Sequence, residues 1–298
     1  MDNQKAIDSF NLRKKKVEKQ YMIAFLFIAL GGIALFLTYN QNSNLNFIPM
    51  ILFAGGIIYF IIGASAFSKL KKEFKKDFLK NIFSVLIPGI EYSPHIGLNP
   101  MDVYATEFLK KADRFHSEDY LSGKIDDIDF ISSDVRLEER RVRHTKNGTQ
   151  VYYVPYFVGR VFKFDFHKEL VGHMQVLESG RPLSRRPFNK VELESIDFNK
   201  KFNVFAEEEL TAFYILTPDI MEAIFALERR YPGNISFSFS DQQMYLGINN
   251  NKNTFELQLF KPLSLEAIQE FEKDLLVVKD VIHSLKLNNS IFKKREDL

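Results

Sequence analysis

Two stretches of the chain carry no charged residue and few polar ones: Tyr21–Tyr39 (YMIAFLFIALGGIALFLTY) and Phe47–Phe67 (FIPMILFAGGIIYFIIGASAF). Each is long enough to cross a hydrocarbon core of about 30 Å as a helix. Only the uncharged link Asn40–Asn46 separates them, so the pattern predicts a transmembrane hairpin over residues 21–67, with spans at 21–39 and 47–67. Pro49 falls in the first turn of the second span, where its missing N–H does no harm. Beyond Gly63 there is neither glycine nor proline until Pro88-Gly89, and Leu70, Phe74, Phe78, Ile82 and Leu86 recur at helical spacing between lysines. Residues 68–88 should therefore form an amphipathic juxtamembrane helix.

Residues 89–298 read as a soluble α+β domain. A short helix is expected over Pro100–Asp113, which opens on a proline. Extended segments follow at Asp119–Ile131, Val135–Arg143 and Val151–Phe166, where aromatic and β-branched residues alternate. Asn147-Gly148 signals a hairpin between the last two, and Pro155 and Gly159 suggest a bulge or bend. Val171–Leu177, Val191–Phe198 and Thr211–Leu216 look like further strands. Thr217-Pro218-Asp219 caps a helix over Pro218–Arg230. Ile235–Phe239 and Met244–Ile248 pair as a hairpin, Thr254–Phe260 reads as a strand, and Ser264 caps a long final helix. The expected architecture is a two-helix transmembrane hairpin followed by a mostly antiparallel sheet with helices covering one face.

Charge orients the hairpin. Arg13, Lys14, Lys15, Lys16 and Lys19 precede the first span, and Lys69, Lys71, Lys72, Lys75, Lys76 and Lys80 follow the second, while the link is uncharged. Basic flanks stay on the cytoplasmic side. The basic N-terminal segment, 1–20, and the soluble domain are thus both expected in the cytoplasm, on a bacterial inner membrane. No small-x-small cleavage site follows the first run, so it reads as an anchor rather than a removed signal. Neither span holds an ionisable group, which argues against a proton relay or ion pathway. Gly31 and Gly32, and Gly55 and Gly56, fall near the middle of the two spans and are candidates for close helix–helix packing. Lys69, Lys71, Lys72, Lys75 and Lys76 are candidate contacts for anionic lipid, as are Arg140, Arg141 and Arg143 in the run EERRVRHTK. A net charge of +2 and the lack of any nucleic-acid motif exclude a nucleic-acid partner.

Candidate chemistry is thin. Of the six histidines, His167 and His173 flank KELVG, which is not the spacing of a metal-binding helix. Asp126, Asp127 and Asp129 lack the glycine and bidentate glutamate of a calcium loop and read as solvated acids. There is no cysteine and no G-x-S-x-G serine. The thirty phenylalanines, many of them alternating along strands, are core and membrane filling before they are a ligand cage. Neither a metal, a cofactor nor a catalytic residue is expected.

The strings EDYLSGKIDDIDFISSDVRLEERR, VPYFVGRVFKFDF, VELESIDFNKKFNVF, TAFYILTPDIMEAIFALE and ISFSFSDQQMYLGINNNKNTFELQLF, together with the two-span start, resemble a bacterial family, domain-of-unknown-function family 3137. The resemblance covers most of residues 90–260 and transfers no functional residue. Members of that family often look like genomic neighbours of LemA-type membrane proteins, which makes such a protein a candidate partner. The expected function is a non-enzymatic, membrane-anchored interaction module, with a homo-oligomer compatible with the sequence. The rivals are an anionic-lipid or phosphate sensor and a membrane-tethered enzyme using His167 or the Asp126–Asp129 run.

Overall fold

The computed structural model describes residues 2–38, 47–146, 148–166 and 170–287. The first apolar run lies inside one long helix, α1 (Asp2–Thr38), so the basic N-terminal segment is a helical continuation of the span. The second opens α2 (Phe47–Glu73). Two helical stretches, Ile7–Thr38 and Phe47–Leu86, are long and apolar enough to cross a membrane. The link Asn40–Asn46 lies outside the described residues.

Past α2 the helix widens into a π-helical turn, Phe74–Leu79, before α3 (Lys80–Leu86). A π turn bonds each residue to the fifth along and so takes up one extra residue. The expected apolar series is displaced accordingly. Leu70 and Phe74 are buried as anticipated, but Leu79, Phe83 and Ile87 are buried in place of Phe78, Ile82 and Leu86.

The chain divides into two units. One comprises Met1–Leu79 and Glu256–Glu270, and the other Lys80–Phe255 and Phe271–Leu298. The second, the sheet unit, holds a nine-stranded sheet whose pairings are antiparallel throughout. Its strands are β1 (Glu91–Ser93), β2 (Arg114–Ile125), β3 (Ile128–Thr145), β4 (Gly148–Asp165), β5 (Met174–Leu177), β6 (Asn189–Val191), β7 (Asn203–Ala206), β8 (Asn234–Ser240) and β9 (Gln243–Asn249), in the spatial order β1-β2-β3-β4-β9-β8-β5-β7-β6. Alternation places Ile235, Phe237 and Phe239 on one face of β8 and Ser236 and Ser238 on the other.

Helix α4 (Pro100–Tyr104) packs Val103 into a cluster with Val135, Leu137, Phe157 and Val161 of β3 and β4. Helix α7 (Pro218–Arg230) is capped by Thr217 and buries Ile220, Ile224 and Leu227. It is tied to the last helix, α8 (Leu265–Ser284), by Arg230–Asp280 at 3.1 Å. Ser264 caps α8, accepting from the Ala267 amide at 3.3 Å.

Several expected elements are corrected. Thr211–Leu216 is not a strand. It lies largely in a helix, α6 (Glu209–Ile215), which buries Thr211, Ala212 and Ile215 and fixes the Thr211 hydroxyl on the Val171 carbonyl, so tertiary contacts override β propensity. Thr254–Phe260 is not a strand either, because Phe255 and Phe260 adopt positive φ of 60° and 61°. The helix expected over Pro100–Asp113 stops at Tyr104, shortly before Glu107 turns left-handed at φ 58°. Val191–Phe198 ends β6 and begins α5 (Ile196–Lys201), where the Ser195 cap redirects the chain. The extended run Asp119–Ile131 is two strands, turned at Asp126 and Asp127 with φ of 48° and 67°, as a tight hairpin requires. The bulge suggested by Pro155 is present: the register between β3 and β4 slips between Leu137 and Glu138, leaving Tyr156 unpaired.

Candidate functional site

In the first unit α1 and α2 run antiparallel. Gly31 lies against Phe53, Gly56 against Ile28 and Gly63 against Tyr21, and Arg13 pairs with Glu73 where the helices emerge from the apolar zone. A Cβ on Gly31 would sit 2.6 Å from the Phe53 amide nitrogen, and one on Gly56 would sit 2.9 Å from the Ile28 nitrogen. The backbones touch at these two positions. Gly32 and Gly55 take no part in that contact. A Cβ on Gly32 would meet only a ring carbon of Phe53 at 3.9 Å, and one on Gly55 would meet nothing within 4 Å. Outward, the helices present Phe25, Leu26, Leu30, Ile33, Phe36, Ile51, Ile58 and Ile61, all exposed. Tyr21 and Phe25 meet Phe60 edge-on at 5.1 and 5.7 Å.

The polar end of the same unit is held by residues that the sequence pattern did not bring together. The segment 256–270 returns to the helices. The Asn11 side chain donates to the Leu263 carbonyl at 2.8 Å and accepts from the Leu263 amide at 2.9 Å. Lys14, almost fully buried, donates to the Lys261 carbonyl at 2.7 Å and pairs with Glu18, which in turn accepts from the Phe260 amide at 2.8 Å. Glu256 receives Lys71 at 2.6 Å and Lys75 at 2.5 Å. Two of the five candidate lipid lysines, Lys71 and Lys75, are thus engaged by a carboxylate, whereas Lys69, Lys72 and Lys76 remain exposed.

Burial pushes the Glu256 carboxyl up, but the hydrogen bonds and charges of Lys71 and Lys75 outweigh it and hold the group below the usual carboxylate range. A lowered folded-state value means a contribution that is complete above the unfolded value and is lost as pH falls through the folded one. Glu256→Gln is expected to cost about 2 kcal/mol at neutral pH. It should also flatten the acid limb of the stability profile, as measured by denaturant titration of the micelle-embedded chain between neutral and acid pH.

In the sheet unit the basic run forms a ribbon. From Glu139–Val154 to Thr145–Gly148 the strands β3 and β4 pair only with each other, beyond the reach of β2 and β9. Arg140, Arg141 and Arg143 are exposed there, with Arg141 3.7 Å from Glu139. Asn147 lies outside the described residues. Asp126 faces His283 at 2.8 Å across an exposed gap, and Asp129 lies 3.7 Å from Lys124, so these acids point to different partners. His173 is 3.8 Å from Asp241, and His167 lies outside the described residues.

The most concentrated polar chemistry was not anticipated. Arg160 of β4 is buried opposite Asp134 of β3 and donates to it at 2.8 Å, to the Asp119 carbonyl at 2.7 Å and to Ser132 at 3.2 Å. Asp134 accepts from the Thr254 amide at 2.5 Å and from its hydroxyl. Tyr92 donates to the Asp119 carboxylate at 2.5 Å. Burial, reinforced by Asp119, raises the Tyr92 phenol far above its ordinary value, so it remains a donor. The available signal was an arginine inside the otherwise apolar run FVGRVF, with an aspartate at the facing position of SSDV. These groups satisfy one another and form a structural knot.

Residues 156–287 match the family model described as "Protein of unknown function (DUF3137)". Over that stretch the chain is similar to this family. The match takes in the second half of the sheet and all of α8, and leaves the hairpin outside it. No curated protein matches the sequence. Among solved structures, the crystal structure of the mycobacterial trehalose monomycolate transport factor A, TtfA, is similar at 6% identity and a TM-score of 0.37, covering 70% of this chain and 97% of that one. That likeness is too distant to bear on function. The DUF3137 segment thus sits in a protein with two candidate membrane helices, consistent with a membrane-anchored module.

Proposed function

We propose that this DUF3137 protein is a non-enzymatic interaction module anchored in a bacterial inner membrane, with its N-terminus and sheet unit in the cytoplasm. Its partner is a protein that itself resides in the membrane, a LemA-type protein being one candidate. The observation that carries the reading is the outer surface of α1 and α2, where large apolar side chains such as Phe36, 82% exposed, are left uncovered by the described residues. An apolar surface of that extent is compatible with hydrocarbon and not with water. The basic flanks supply the sidedness.

Because the chain has no cysteine, single reporters can be introduced cleanly. A membrane-impermeant maleimide should label Ser43→Cys in intact cells and Asn250→Cys only after permeabilisation. The reverse pattern overturns the orientation, and a chain that purifies in water without detergent overturns the anchor. Affinity capture of the full chain in mild detergent should recover a membrane protein reproducibly, and recovery of the bait alone argues against the partner.

The ribbon supports a second reading, binding of anionic headgroups or phosphate by Arg140, Arg141 and Arg143. Amide exchange over residues 139–154, compared in nanodiscs with and without phosphatidylglycerol, separates the two. Slower exchange with the anionic lipid favours it, and equal rates exclude it.

A further inference from the structure

A cavity of about 390 Å³ opens within the sheet unit between Phe108–Lys110, the β4 residues Tyr156 and Phe157, the segment from Leu177 to Leu183 and the paired strands β8 and β9. The volume lies in the range of small-molecule sites. Its apolar lining comes from Phe108, Phe157, Leu177 and Leu183.

The polar lining is unevenly satisfied. Asn249 bridges β4, accepting from the Val158 amide at 3.1 Å and donating to the Tyr156 carbonyl at 3.1 Å, and Asn234 donates to Ser179 at 2.8 Å. Ser236 differs. It is only 9% exposed, it lines the cavity, and its hydroxyl has no hydrogen-bond partner among the described residues. That oxygen is not fully enclosed, so the hydroxyl is available to a group in the cavity. The same face of β8 continues to Ser238, which lies opposite Gln175, whose buried Oε1 also lacks a partner.

Cations stand among the lining residues. Lys110 lies over the Tyr156 ring at 4.8 Å and pairs with Glu139 at 3.0 Å. Arg181 is exposed and makes no ion pair among the described residues. Its loop is nevertheless fixed: the Leu183 amide donates to the Glu107 carbonyl at 3.0 Å, and Arg186 binds the Glu107 carboxylate at 2.9 Å. The loop therefore uses Arg186 to hold its shape and leaves the Arg181 guanidinium available at the cavity.

We propose that this cavity binds a small amphipathic organic anion. The carboxylate or phosphate group is held by Arg181 with Lys110, the apolar body lies against Phe108, Phe157 and Leu183, and a polar group on that body meets the Ser236 hydroxyl. The inference is independent of the membrane partner. A guanidinium fork suits either anion.

The test titrates the full-length chain in nanodiscs with 4-hydroxybenzoate, phenyl phosphate and the uncharged 4-hydroxybenzamide, read by saturation-transfer NMR and calorimetry. At least one anion should bind, and the amide should bind about tenfold more weakly or not at all. Arg181→Ala should weaken the anion about tenfold and Ser236→Ala severalfold, with the circular dichroism of both variants unchanged. Arg185→Ala, an exposed arginine of the same loop outside the cavity, should leave affinity unaltered. Failure of both anions to bind the folded chain overturns the proposal. So does equal affinity for the amide, or an Arg181→Ala variant that binds as well as the parent.

Discussion

Replacing Arg160 by methionine should destabilise the sheet unit by about 3–5 kcal/mol, the range for removing one partner from a buried ion pair. The Arg160 and Asp134 side chains are each only 5% exposed, so neither charge can turn to water when the other is removed. Methionine would fill much of the volume beside the Phe255 ring, which the guanidinium now covers at 4.9 Å. It would leave Asp134 holding Thr254 without a counter-charge and the Asp119 carbonyl without its donor. The double variant Arg160→Met with Asp134→Leu should be less damaging than the single one, because an apolar pair of similar volume replaces the ion pair without stranding a charge. Chemical denaturation followed by near-ultraviolet dichroism measures both. A single variant within about 0.5 kcal/mol of the parent, the range of ordinary surface substitutions, would show that the knot does not hold the sheet.

That knot also marks where local pattern stops being informative. Strand pairs with strong alternation, such as ISFSF and MYLGI, and helices with explicit caps, such as Thr217-Pro218-Asp219, are legible because everything that decides them lies within a few residues. Arg160 and Asp134 are 26 residues apart and Asp134 and Thr254 are 120 apart, so their meeting depends on strand order. The segment Thr254–Phe260 shows the same limit. Its composition suits a strand, but partners elsewhere in each unit hold Thr254 and Glu256 and bend the chain through two left-handed residues. In the juxtamembrane helix the four-residue apolar repeat matches the buried positions through Phe74 and is out of step by one beyond it, because the π turn inserts a residue that periodicity cannot reveal. The cavity was hidden for a related reason. Arg181 and Ser236 are ordinary loop and strand residues until β5 and β8 pair and bring them to one place.

The four midspan glycines should separate cleanly under substitution. Gly31→Leu and Gly56→Leu should each destabilise the helical hairpin by about 2–3 kcal/mol, as overpacking does where the neighbour is unable to yield. The atoms that a new side chain would strike include main-chain atoms of Phe53 and Ile28, so the helices would have to move apart along their length. In lipid little else opposes that separation, because hydrocarbon solvates an exposed leucine as well as a neighbouring helix does. Gly32→Leu and Gly55→Leu should change stability by less than about 0.5 kcal/mol, since a Cβ at those positions meets one ring edge or open space. A titration of the full chain from mild detergent into dodecyl sulfate, followed by helical dichroism, ranks all four. Equal effects at the four sites would mean that glycine serves the spans through backbone freedom alone. A large loss at Gly31 and Gly56 only would show that one line of close backbone contact holds the hairpin together.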